Sequence, residues 1–263
     1  MASIEAIADW LSAPLIGFVL VLTRLSVMMM AIPAIGSGIP MRVRAILAIG
    51  IALMLLPLVQ DSSPWTSERL AVGSFLDLVI AVAREAGLGM LIGLVIRLLV
   101  SGMQMAGELA SNAGGMQLGD SIDPDLNMSV STLGRLVSLM VTAAMFLMGG
   151  HRMMIESLLE SFRTMPPGNV RFEVGMMELV LFEFRAGIEA GIRTGAPLVA
   201  ALLLANLVTG LISRTLPQLN LLAIGLPFNG LILLIVSGFS LSCGIWVFHD
   251  SFLAAIERLT ALW

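Results

Sequence analysis

TLPQLNLLAIGLPFNGLILLIVSGFSLSCGIWVFH, Thr215–His249, is the longest uncharged run of the chain. As one helix its 35 residues would reach roughly 50 Å against a bilayer hydrocarbon core of about 30 Å, so Pro217 and Pro227 are expected to divide it into a lead-in and a spanning-length piece. Shorter apolar stretches precede it at Leu15–Ile32, Ala45–Val59, Ala86–Val100, Leu136–Gly149 and Ala196–Ser213. Composition agrees: 58% of residues are hydrophobic, 12% are charged and the mean hydropathy is +0.99. The reading is an all-α membrane protein with about six apolar helical segments. Three of the stretches hold only about 15 residues where a spanning helix takes about 20, which predicts tilted hairpins that lean or enter rather than cross.

Charge placement sharpens the picture. Glu5 and Asp9 stand where a cleavable signal would be basic, so the first helix is expected to be retained. The connection after the first segment carries Arg42 and Arg44, whereas that after the third carries Glu108, Asp120, Asp123 and Asp125. Simple alternation would put both on one side, against the positive-inside rule. Arg24, Asp77, Arg84, Glu85, Arg97 and Arg135 lie in or against apolar segments, where a charge facing lipid costs at least about 2.5 kcal/mol. They are expected to face protein or water. Arg24 is mid-segment with no carboxylate nearby in sequence, so its partner is expected in another subunit. Arg214 closes an uncharged segment, and Pro217 prevents that helix from running on unchanged, which places Gln218 at a bend where its amide can bond freed backbone groups or a neighbouring subunit.

Between the third and fourth segments, Ser101–Ser131 interleaves Gly102, Gly107, Gly114, Gly115 and Gly119 with Met103, Met105, Met116 and Met128. Flexible backbone and deformable side chains suit a loop that seals an opening and later yields. Farther on, Glu178, Arg185, Glu189 and Arg193 share one helical face, with Glu189 and Arg193 in the favourable i,i+4 order. Phe252, Leu253, Ile256, Leu259 and Trp263 form a terminal apolar stripe fitted to a partner or to membrane lipid.

Enzymatic chemistry finds no constellation. His151 and His249 have neither a second ligand nor a base at metal-site or triad spacing, and no phosphate-binding or dinucleotide fingerprint occurs. No catalytic, cofactor or metal residue is assigned. Cys243, the single cysteine, excludes an internal disulfide. A net charge of −4 argues against nucleic acid as a partner. The competing class is a small secondary transporter with Asp77, Arg84 and Glu85 as an intramembrane ion site; it calls for internal repeats, and none is evident.

One resemblance organises these features. Ala106, Gly107, Glu108, Gln117, Gly119, Asp123, Pro124, Arg135, Gly150, His151, Leu158, Phe162, Thr164 and Pro166 form one block. Asn206, Leu207, Gly210, Leu211, Arg214, Pro217, Gln218, Leu219, Ile224, Gly225 and Pro227 form a second, and Arg24, Pro33, Pro40, Arg42, Val43, Leu47 and Ala48 an early one. In this order and spacing they resemble the FliR family of flagellar biosynthetic proteins and its counterparts in virulence type III secretion. The resemblance implies a bacterial inner-membrane subunit of the flagellar basal body, assembled with FliP-type and FliQ-type subunits and an FlhB-type switch protein into an export gate for unfolded flagellar proteins. A virulence export gate is the alternative. It further implies that residues 1–193 are FliP-like, including the loop 101–131, and that residues 194–263 form a FliQ-like hairpin with an amphipathic tail. Residues Gly107 to Pro124 would correspond to the plug of the closed pore. Family plugs are often aromatic before the Asp-Pro pair, whereas Ser121 and Ile122 stand here, which shifts the expected seal to Gly107, Gly114, Gly115, Met116, Leu118 and Ile122. The pairing residues expected to serve assembly are Arg24, Arg84, Glu85, Arg97, Arg214, Pro217 and Gln218.

Overall fold

Helices that are apolar around nearly their whole circumference bury one side on each other and leave the other for lipid or neighbouring subunits. The computed structural model of the chain describes residues 2–32, 40–62, 75–115, 131–215 and 221–262. Its helices are α1 (Ala2–Ala31), α2 (Met41–Ser62), α3 (Phe75–Gly114), α4 (Thr132–Leu147), α5 (Gly150–Thr164), α6 (Val174–Thr215) and α7 (Leu221–Thr260). Four stretches are long and apolar enough to cross a membrane: Pro14–Ala31, Met41–Gln60, Phe75–Gly114 and Val174–Ile212. The count reaches six if Leu133–Leu147 with Gly150–Thr164, and the two halves of the bent α7, each form one span. The all-α membrane architecture and the six apolar segments of the sequence reading are therefore met.

Two of the three short stretches turn out not to be short. Ala45–Val59 lies in a 22-residue helix and Ala86–Val100 in a 40-residue one. Charged and polar residues extend both helices beyond their apolar centres, which a hydropathy count cannot see. Of the three, only Leu136–Gly149 stays short, in α4 of 16 residues, and its limits are local. Ser131 Oγ accepts from the Gly134 N–H at 3.1 Å, a side-chain N-cap. At the other end Gly149 adopts φ +74°, a left-handed conformation that breaks the chain before α5.

Prolines 14, 57, 197 and 227 lie inside helices. That is tolerated in this class because packed neighbours satisfy the freed carbonyls. Pro227 therefore does not split the long uncharged run, since α7 continues through it. Pro217 falls outside the described residues.

The chain forms two compact units. One comprises residues 1–97, 149–182 and 254–263, the other 98–148 and 183–253. In the first unit, α1 packs on α3 at Gly89 and Gly93. A Cβ at Gly89 would collide with the Arg24 carbonyl oxygen, and one at Gly93 would sit 2.8 Å from the Met28 carbonyl oxygen. In the second unit, Gly102 of α3 meets the backbone of Gly187, and Gly191 of α6 meets that of Gly102, each too closely for any side chain. Small residues at these crossings let backbones approach where packing, rather than water exclusion, drives association.

The terminal stripe is a correction. Phe252, Ala255 and Leu259 are buried within the chain, Arg258 Cζ stacks 4.3 Å from the Phe182 ring centroid, and Leu262 covers Gly175. It docks on its own protein, because α6 is long enough to offer Phe182 and Gly175 beneath it.

Candidate functional site

The first site is built from the buried charges of the first unit. Arg24 and Glu85, on α1 and α3, are both fully buried, and Arg24 Nε donates to Glu85 Oε2 at 2.6 Å. The remaining guanidinium donors are used on α5 and the strand-free segment after it. Nη1 reaches the Ser161 carbonyl and Oγ, both at 3.0 Å, and Nη2 reaches the Met165 carbonyl at 3.0 Å. Ser161 Oγ in turn donates to the Leu158 carbonyl at 2.6 Å. The second carboxylate oxygen of Glu85 accepts from the Gly168 N–H at 2.9 Å, and Gly168 holds φ +85°. Phe162 closes the site, its ring centroid 4.1 Å from Arg24 Cζ. A buried guanidinium is tolerable when its fork is matched in this way by acceptors and an aromatic face.

This overturns the expectation that Arg24 pairs with another subunit. Its partner lies in the chain itself, 61 residues on, and proximity in sequence was the wrong criterion. Two opposite charges in the middle of apolar helices are most cheaply buried against each other, and that signal was present. Arg84 and Arg97 are exposed on α3 and make no ion pair with another described residue. Arg214 is exposed in the last turn of α6, where a cation favours the helix dipole. Gln218, like Pro217, lies outside the described residues. The transporter reading loses its ion site: Glu85 is engaged by Arg24 and Gly168, and Asp77 and Arg84 are exposed.

The second site is the root of the glycine- and methionine-rich stretch. Ser101 to Gly114 is not loop but the last turns of α3. The glycines there serve helix packing: a Cβ on Gly107 would lie 2.8 Å from Gly134 Cα and 2.9 Å from the Leu133 carbonyl oxygen of α4. Gly107 is therefore a crossing residue between α3 and α4, which corrects its expected place in a loop. Gly114 ends the helix and Gly115 follows at φ +70°. Met116, Leu118 and Ile122 lie outside the described residues.

Two asparagines that sequence reasoning gave no role hold this end. Asn206 Nδ2 on α6 donates to the Ala113 carbonyl at 2.8 Å, and Asn229 Nδ2 on α7 donates to the Gly114 carbonyl at 3.3 Å and to Asn206 Oδ1 at 2.7 Å. Below them Ala110, Leu198, Leu202 and Leu233 form an apolar cluster of α3, α6 and α7. Deeper in the same unit, Ser240 Oγ donates to the Thr194 carbonyl at 2.5 Å and joins α7 to α6. Among the described residues no group of three or more His, Cys, Asp or Glu could hold a metal ion.

The model of the family described as bacterial export proteins, family 1, matches residues 15–255. The chain belongs to that family. Similar members include the flagellar biosynthetic protein FliR of Caulobacter vibrioides, 26% identical over 92% of this chain and 94% of that one. The FliR of Aquifex aeolicus is 27% identical over 76% of each chain. The Yop proteins translocation protein T of Yersinia pestis is 25% identical over 86% of each. For this export-family chain the buried ion pair and the glycine crossings read as construction of a membrane subunit.

Proposed function

We propose that this chain is the FliR-type membrane subunit of a flagellar type III export apparatus, helping to form and close the channel through which unfolded flagellar proteins leave the cytoplasm. The observation that carries the reading is end-to-end similarity to flagellar FliR, 92% of this chain against 94% of the Caulobacter protein, together with four to six spanning-length helices. The subunit acts by architecture rather than by catalysis. It resides in the inner membrane at the flagellar basal body and assembles with FliP-type and FliQ-type subunits and an FlhB-type switch protein. Residues 1–193 take the FliP-like part and 194–263 the FliQ-like part, with α6 continuous across that division. Exposed apolar residues such as Ile46, Leu53, Met54 and Leu58 on α2, and Leu203, Leu204, Leu207 and Leu211 on α6, supply faces for lipid or those partners.

The plug is the stretch that leaves α3 at Gly114 and Gly115, with Met116, Leu118 and Ile122 as its sealing side chains. Soft apolar side chains exclude water from a closed pore and present a compliant surface to an unfolded chain. Deleting the gene should abolish flagella and motility, and an affinity-tagged copy should restore both while copurifying several other small membrane proteins. Restoration of virulence-type secretion alone would favour the counterpart system. Shortening the loop around Gly114 to Leu118 should leave assembly intact and make the resting membrane leak ions. Complexes that assemble, stay ion-tight and export normally after that deletion would remove the plug from the proposal.

A further inference from the structure

The last carbonyls of any α-helix lack intrahelical donors, and in an apolar setting they must find others. At the end of α3 the donors are the carboxamides of Asn206 and Asn229, from two different helices. Their orientations are mutually determined. Asn206 must present Nδ2 to the Ala113 carbonyl, which turns its Oδ1 to Asn229. Asn229 therefore faces two acceptors, Asn206 Oδ1 and the Gly114 carbonyl, and must present Nδ2 to both. Asn229 is 7% exposed, and its own Oδ1, buried, accepts no hydrogen bond from a described residue. A carboxamide placed so that only half its capacity is used, near the apolar cluster of α3, α6 and α7, is a poor choice for packing alone. It is the choice needed if the end of α3 must stay at one point relative to α6 and α7.

We infer that Asn206 and Asn229 are positioning residues that act as one clasp, tying the C-terminal end of α3 to α6 and α7 and so setting where and in what direction the following segment departs. The functional consequence rests on the plug reading above; the structural one does not. Gly115, at φ +70°, ends α3 immediately beyond the clasp, so the clasp sits on the last carbonyls of that helix.

The test uses the assembled complex with Cys243→Ser and a spin label at Asn112→Cys, an exposed position in the last turn of α3. Asn206→Ser, in which the hydroxyl is too short to reach the Ala113 carbonyl, and Asn229→Ala should each mobilise the label. Each should also raise resting ion flux in proteoliposomes about tenfold, the factor that corresponds to about 1.4 kcal/mol, the scale of one hydrogen bond. The double variant should add little to either single one, since either loss opens the clasp. Asn229→Asp should be as harmful as Asn229→Ala, because it sets oxygen against two acceptors. An unchanged label in complexes of normal yield overturns the inference. If the label is mobilised but neither these variants nor loop-shortened complexes leak, the clasp stands and the plug reading falls. If loop-shortened complexes leak while the asparagine variants neither leak nor mobilise the label, the plug stands and the clasp falls. Asn206 is exposed, so its serine variant decides the matter even where Asn229→Ala fails to assemble.

Discussion

Replacing Glu85 by leucine removes the one carboxylate that the described residues place against a fully buried guanidinium. Arg24 would keep the Ser161 carbonyl and Oγ, the Met165 carbonyl and the Phe162 face, but its Nε would lose a 2.6 Å partner and Gly168 N–H would lose its 2.9 Å acceptor. Stripping one member from a buried ion pair costs about 3–5 kcal/mol, because the remaining charge stays desolvated. The partly buried Gly168 N–H left without its acceptor adds about 1 kcal/mol. Glu85→Leu should therefore destabilise the folded subunit by roughly 4 kcal/mol or more. Glu85→Gln should cost less, since one amide oxygen can still accept from Gly168. The double variant Arg24→Met with Glu85→Leu removes both charges. It leaves only neutral groups unpaired, and it should be less damaging than Glu85→Leu alone, with a coupling of at least about 2 kcal/mol. The measurement is a reversible denaturation series in mixed micelles on the four proteins of the cycle. Additive single and double losses, or a Glu85→Leu cost below about 1 kcal/mol, would show that the pair is not energetically closed within the chain and would refute the reasoning.

Three other substitutions test the packing. Gly102→Ala must push α3 away from the backbone of Gly187, so it should lower the yield of folded subunit severely, whereas Gly50→Ala on α2, with open space around it, should be neutral or slightly stabilising in the same expression and thermal-shift assays. Gly115→Ala should cost about 1–2 kcal/mol because its φ of +70° is strained for an L side chain, while Gly114→Ala, whose Cβ would find Leu202 and Leu233 at ordinary contact distances of 3.7 and 3.8 Å, should be tolerated; equal losses at both sites would contradict the local geometry. Arg258→Ala should loosen the terminal helix, read as faster proteolysis after residue 250, since it removes the stack on Phe182.

The helical membrane architecture was legible because it depends on hydropathy summed over many residues, and no single side chain can overturn that sum. The glycine- and methionine-rich stretch was half misread for the opposite reason. Glycine in a water-soluble chain signals flexibility, but Gly102 and Gly107 are followed in space by other backbones, which hydropathy along one chain cannot reveal. Arg24 shows the same limit. Its charge marked it as a residue needing a partner, while the partner's identity depended on α1 crossing α3 at Gly89, a contact set by the absence of a side chain.

Asn206 and Asn229 illustrate a harder case. An asparagine in an apolar helix carries four hydrogen-bonding possibilities, and sequence alone does not say whether they meet a partner helix, a bend or another subunit. What decides it is the position of the end of α3, which in turn follows from Gly115 terminating the helix and from the close crossings at Gly102 and Gly107 that bring α6 and α4 against it. The polar groups at the loop root are thus placed by glycines a few turns away. A substitution that widens the Gly102 crossing should disturb the Asn206 contact with Ala113 even though it touches neither residue. Coupling between those two sites, absent for Gly50, would show that the packing of the unit sets the geometry at the end of α3.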